Sequence, residues 1–274
     1  MYVDGRYTFQ AKEQTNSKEI QLKHLQSFWE DLKIYTSEEK YRIAIDSKLH
    51  SIKEIKKIQN IIENTASYII FLNSNIIDSI WINKPKIEYS NIFDHPIKFA
   101  GKDRIKKLEK CNKFLKKENV DHYLISGLDN IAWLLNIRAD DILYTPLVYS
   151  YLLISKNNKP SLYINQNKIN DQLMREIKKI INIYSIEKVD NIFSKIKYNE
   201  TVGFDFSNTS YYFLNLVDKN HIKYMDIKNP CILWKAVKNK VEQDGAFASN
   251  LRDGVSITRF IYWLKNEMDI NSTN

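Results

Sequence analysis

The chain has 274 residues and a formal net charge of +8, with 43% hydrophobic and 27% charged residues. That length and balance suit one or two globular domains with a sizeable core, and exclude a disordered or collagen-like chain. The densest apolar runs, such as Tyr68 to Leu72 and Tyr149 to Ile154, are strand-sized, and the lysines fall in short helical clusters such as Lys106-Lys107-Lys110, so neither a membrane nor a specific nucleic acid is an expected partner.

Tyr2-Val3 reads as the end of a strand, Asp4-Gly5 as a turn and Arg6 to Glu13 as a helix start. A chain that opens inside a strand leads us to expect that its first domain is incomplete. A strand at Ile20 to Leu25, a short helix around Phe28 to Ile34 and a strand at Tyr41 to Ile45 follow. Ser51 and Glu54 fit a capping box, and Ile52, Ile55, Ile58 and Ile62 recur at helical spacing, so Ser51 to Thr65 is an amphipathic helix. Tyr68 to Leu72 reads as a buried strand. Trp81 to Pro96 lacks periodicity and contains Pro85 and Pro96, which marks a linker and a domain boundary.

Beyond it, Lys102 to Glu118 is helical, with Ile105, Leu108 and Leu115 expected inward and the lysines outward. His122 to Ser126 is a strand and Leu128 to Ile137 an apolar helix. Val148 to Ser155 and Ser161 to Asn165 form a hairpin, followed by a helix at Asp171 to Ile180. Next come a strand at Val202 to Phe206, a helix at Ser210 to Val217 and a strand at His221 to Ile227. Val241, Ala248, Leu251, Val255, Thr258 and Tyr262 trace one face of a long helix reaching about Met268. The alternation of strand and helix is that of an α/β fold.

Chemistry is harder to find. Six scattered glycines cannot build a phosphate-cradling loop, and five histidines stand singly without a His-Glu-x-x-His pattern. Cys111 and Cys231 are far apart and lack metal-ligand neighbours, which fits a reducing, cytoplasmic setting; no secretory signal is apparent. Adjacent Asp140 and Asp141 could divide acid and base roles, but acids in a turn before a strand more often cap or solvate it. Asp205, at the end of a strand, reads as a helix-capping turn into Asn208. Ser126 and Ser207 follow strands without Gly-x-Ser-x-Gly or a placed histidine.

Four segments, in order, resemble the Xaa-Pro aminopeptidases (aminopeptidase P), metallopeptidases with a pita-bread catalytic domain. The first is Val3-Asp4-Gly5-Arg6-Tyr7, and the second is Ile77-Asp78-Ser79-Ile80-Trp81 with Pro85 behind it. The third is Leu128 to Arg138 with Asp141 to Tyr151. The fourth is Lys235 to Asn239, continuing through Glu242 and Asn250-Leu251-Arg252-Asp253-Gly254 to Trp263. Ala139-Asp140 and Leu143 depart locally from the family pattern. The resemblance implies two creatinase/prolidase N-terminal-like α/β domains, the first incomplete, followed by a long helix that would begin the catalytic domain. The expected divisions are 1–84, a linker at 85–100, a second domain at 101–228, and the catalytic start at 229–274.

The family's site holds two divalent metals, typically Mn, on acids and a histidine that all lie beyond this helix, so the resemblance implies no metal or other cofactor in this chain. It carries one site residue over: Arg6, as a substrate contact near the active-site mouth, with a bracing role as the alternative. Trp133 is expected to anchor the core and Arg138 to pair with an acid such as Asp141. The functional expectation is therefore a non-catalytic N-terminal portion of an enzyme that acts on proline-containing peptides. The alternative is an interaction module whose partner is a separate catalytic half or another copy of itself.

Overall fold

The computed structural model describes residues 1–85 and 90–267, and the chain divides into two compact units. Met1–Pro85 and Phe206–Asn215 make the first, Lys86–Asp205 and Leu216–Asn274 the second. The sequence reading places Phe206–Asn215 in the second domain and residues 90–100 in a linker; the structure clusters the former with the first unit and the latter with the second. Residues 86–89 of the expected linker lie outside the described residues, as do Met268 and the polar tail after it.

In the first unit, β1 (Tyr2–Val3), α1 (Thr8–Gln14) and β2 (Lys23–His24) form a parallel β-α-β turn, followed by α2 (Phe28–Glu38). A second such turn links β3 (Arg42–Ile45) through α3 (Ile52–Ile62) to β4 (Tyr68–Phe71), ahead of the short α4 (Ile76–Ile80). The capping box is present: the Glu54 N–H donates to Ser51 Oγ at 3.2 Å and the Ser51 N–H to Glu54 Oε2 at 2.8 Å. Ile52, Ile55, Ile58 and Ile62 are all buried.

Phe206–Asn215 completes this unit by satisfying groups that a helix start leaves open. The Ile52 N–H donates to Thr209 O and the Lys53 N–H to Phe206 O, both at 2.9 Å, while the Tyr211 ring stacks on Phe71 at 4.9 Å. One expectation fails here. β4 is not buried: Tyr68 is 44% exposed and Ile70 37%, because among the described strands only β3 pairs with it.

The second unit opens with β5 (Phe93–Asp94), α5 (Ile97–Ala100), α6 (Arg104–Glu118), β6 (His122–Ile125), α7 (Leu128–Leu135) and β7 (Ile137–Arg138). Next come β8 (Ser150–Ser155), β9 (Ser161–Ile164), α8 (Asp171–Lys178), β10 (Asn182–Ser185) and β11 (Thr201–Phe204). Then follow α9 (Tyr211–Lys219), whose residues up to Asn215 belong to the first unit, and β12 (Lys223–Asp226), α10 (Pro230–Ala236) and α11 (Lys240–Glu267). Six strands form one sheet in the order β10-β9-β8-β6-β11-β12, with β8 antiparallel to both neighbours and the other pairs parallel. The hairpin β8–β9 is as expected; β10 is an addition that the sequence reading lacks.

Leu115, Val120, Ile125, Leu134, Leu135, Leu152, Leu162 and Ile164 sit at the centre of one continuous core. Gly203 on β11 is required by close approach: a Cβ there would lie 2.7 Å from the Tyr123 ring. On α6 the burial pattern differs from expectation. Leu108, Cys111 and Leu115 face the sheet, but Ile105 is 51% exposed and Lys107 only 2%. The stripe includes Lys107 because its ammonium finds oxygen partners at the end of α7.

Candidate functional site

Of the residues singled out in the sequence, Trp133 and Arg138 lie at α7, which meets the first turn of α11 within the second unit. α7 ends in a left-handed residue, Asn136 at φ 51°, a conformation asparagine tolerates better than most residues. The open carbonyls there receive two cations. Lys107 Nζ donates to Trp133 O and Asn136 Oδ1, both at 2.7 Å, and Arg138 Nη1 donates to Ala132 O at 2.7 Å and Ile137 O at 2.9 Å. Cations at a helix C-terminus also oppose its partial negative charge. Burial lowers the pKa of Lys107 to about 8 and pulls that of Arg138 down as well.

The same helix holds the chain that follows. Asp129 forms an ion pair with Lys235 on α10, and the Trp133 indole Nε1 donates to Glu242 Oε1 at 3.3 Å. Glu242 and Asn239 cap α11 reciprocally: the Asn239 N–H donates to Glu242 Oε2 at 2.9 Å and the Glu242 N–H to Asn239 Oδ1 at 3.0 Å. Asn239 Nδ2 also donates to Ala100 O at 2.9 Å. Gly101, at φ 66°, leaves the space for Asn239, which any Cβ there would overlap. α7 is thus a socket that fastens the start of α11. Trp133 is a partly buried anchor, as expected.

Past that turn α11 is bare. None of its described residues is buried. The expected stripe is exposed at Leu251, Val255 and Tyr262, and Phe247, Ile257, Phe260 and Trp263 widen it well beyond a single face. The described length of α11 therefore presents apolar side chains on more than one side.

Arg138 does not make the expected pair with Asp141. Asp141 is buried against Lys168, and its carboxylate also accepts from the N–H groups of Ser90 at 3.2 Å and Tyr149 at 3.0 Å. That commitment organises the loop before β8 and leaves Asp140-Asp141 unsuited to act as a catalytic dyad. Asp205 is buried and accepts the Asn229 N–H at 3.0 Å. Arg6 belongs to the first unit: its exposed guanidinium pairs with Asp4 at 3.0 Å, and Asp4 in turn caps the 3₁₀ turn Gly5–Tyr7.

No group of three or more His, Cys, Asp or Glu among the described residues is placed to hold a metal ion. The donors among the described residues do not fit a two-metal centre. No helix among the described residues is long and apolar enough to cross a membrane.

The family described as Creatinase/Prolidase N-terminal domain matches residues 83–242, more than half of the chain. The chain belongs to this family. Its relatives extend the likeness over both units of this creatinase/prolidase N-terminal protein. It is 28% identical to the probable Xaa-Pro aminopeptidase P of Coccidioides posadasii, over 97% of this chain and 42% of that protein. Against the corresponding protein of Neosartorya fischeri the identity is 29%, again over 97% of this chain and 42% of the relative. The crystal structure of an X-prolyl aminopeptidase from Caenorhabditis elegans, a cytosolic enzyme with a di-nuclear active site, superposes with a TM-score of 0.84 at 24% identity. That match covers 97% of this chain and 45% of the enzyme, and it shows the fold. The chain therefore spans less than half the length of these relatives, and it is a creatinase/prolidase-type α/β protein.

Lys107, Asn136 and the Asn239–Glu242 cap carry the socket, and the sequence reading missed their roles. Asn-x-x-Glu ahead of an apolar periodic run was the available signal for the cap. Nothing local marks Lys107.

Proposed function

We propose that this chain is the non-catalytic N-terminal portion of an Xaa-Pro aminopeptidase-like protein, and that its α7 socket aims α11 at a catalytic half. The parent reaction would be metal-dependent hydrolysis of the bond between an N-terminal residue and proline, in a cytoplasmic setting consistent with two unpaired thiols. The observation that carries the reading is the contrast within α11, whose first turn is fastened by four side-chain contacts while its apolar length is uncovered. The pure chain should not cleave an Xaa-Pro peptide with Mn, Co or Zn. It should bind the separately produced C-terminal half of a homologous aminopeptidase P. Metal-dependent cleavage by the chain alone, or no binding to that half, would sink the proposal.

Arg6 belongs to the same reading as a substrate contact. In a reconstituted enzyme Arg6→Ala should raise KM with little change in kcat; an unchanged KM would leave it a brace for Asp4. The bare face also supports a second reading, self-association through α11. Sedimentation at several concentrations separates the two, since a strict monomer excludes self-association.

A further inference from the structure

At the edge of the second unit's sheet, away from α7 and α11 in sequence, the structure contains a cavity of about 440 Å³ that no part of the peptidase reading uses. Its wall comes from the first residues of β6, β9 and β10 and the last of β8, together with the segment after β10. Open α/β sheets usually bind ligands at the carboxyl ends of their strands. This cavity is at the amino ends of the parallel strands, so its chemistry rests on its own side chains.

The floor is buried and polar. His122, 7% exposed, places Nδ1 2.9 Å from Ser155 Oγ, and its Nε2 is 3.3 Å from Glu200 Oε2. Glu200 does not line the cavity, and an N–H from Lys197 together with His122 holds its carboxyl below the usual range. The exposed residues Lys159, Lys188 and Lys195 do line it. Lys195 Nζ donates to Tyr184 OH at 3.3 Å, and the Tyr184 ring stacks on Tyr163 at 5.1 Å, so an aromatic wall steadies one ammonium. No carboxylate lines the cavity among the described residues.

We propose that this cavity binds a small phosphate-bearing molecule. Three lysines lining one cavity, with no carboxylate among the described lining residues, suit a compact, multiply charged anion, and lysine serves phosphate as a point charge. The volume falls in the range of small-molecule pockets and exceeds what one phosphate fills, leaving room for an organic portion against Tyr163 and Tyr184. The site is independent of the catalytic-half proposal.

The test is calorimetric titration of the full chain with inorganic pyrophosphate and with glycerol 3-phosphate at physiological salt, using citrate and sulfate as competing anions. Saturable binding of one phosphate compound per chain, with Kd below about 1 mM, is expected. Lys188→Gln/Lys195→Gln should weaken it at least tenfold, while Lys53→Gln/Lys57→Gln, which removes equal charge from α3, should not. On addition of the bound phosphate compound, the His122 ring resonances should shift in NMR spectra of the unaltered chain. Absence of saturable binding, equal loss in both variants, equal affinity for citrate or sulfate, or an unmoved His122 would each overturn the assignment. Retention of single-stranded RNA through these lysines without small-phosphate binding would do so as well.

Discussion

Lys107 is a lysine among lysines in the sequence, and only its partners distinguish it. Lys106 and Lys110 beside it on α6 are exposed, whereas its own ammonium is enclosed by Trp133 O, Asn136 Oδ1 and the Trp133 ring at 4.3 Å. Burial lowers its pKa from the ordinary 10.5 to about 8. Between those values the folded chain has released a proton that the unfolded chain still holds, so stability should rise with pH across that window. Tyr2 and Tyr163, both held up to about 12 chiefly by burial, act in the opposite sense. Their unfolded forms ionise first, near 10, so stability should fall from there toward 12. Urea midpoints measured from pH 7.5 to 11 should therefore pass through a maximum, and Lys107→Met should flatten the rising limb; an unchanged rise would show that another group causes it. Asp141 makes a second residue-level prediction. Removing one member of a buried ion pair costs roughly 3–5 kcal/mol, so Asp141→Ala should lower the denaturation midpoint far more than Asp140→Ala, and equal effects would refute the structural role given to Asp141.

At the scale of elements, α3 and α11 show what local pattern can and cannot tell. The Ser51–Glu54 box and the four isoleucines behind it are short-range features, and they are legible because every interaction involved lies within a turn or two. The apolar repeat of α11 is equally legible, but periodicity alone assigns a face without saying whether anything covers it. β10 escaped notice because Asn182-Ile183-Tyr184-Ser185 is short and lacks a buried alternation; it is a strand through its pairing with β9. The socket was half legible: Trp133 announced an anchor, while the Arg138 carbonyl contacts and the Asp141–Lys168 pair depend on chain segments that meet only after folding. If the bare length of α11 is an interface, Leu251→Glu/Val255→Glu should abolish binding to a catalytic half or to a second copy without lowering thermal stability. A marked loss of stability would instead mean that this face packs within the chain.

The two units of the whole molecule differ in how much each buries. The first rests on a small group centred on Ile45, Ile52, Ile55, Ile58 and Ile62, with β4 half exposed; the second has a continuous core beneath a six-stranded sheet. Local stability follows buried contact, so amide exchange should be faster in β3 and β4 than in β6 and β8, and coincident protection would contradict the division. Composition, periodicity and four spaced motifs were enough to point to the α/β class and to a creatinase/prolidase relationship, since those depend on side-chain type and local repetition along the chain. Which lysine is buried, which acid meets which base, that Phe206–Asn215 completes the first unit, and that a basic cavity opens beside His122 all turn on residues far apart in sequence. Their proximity is set when the backbone's open hydrogen-bonding groups and the apolar faces find partners across the fold, and no local pattern encodes that choice.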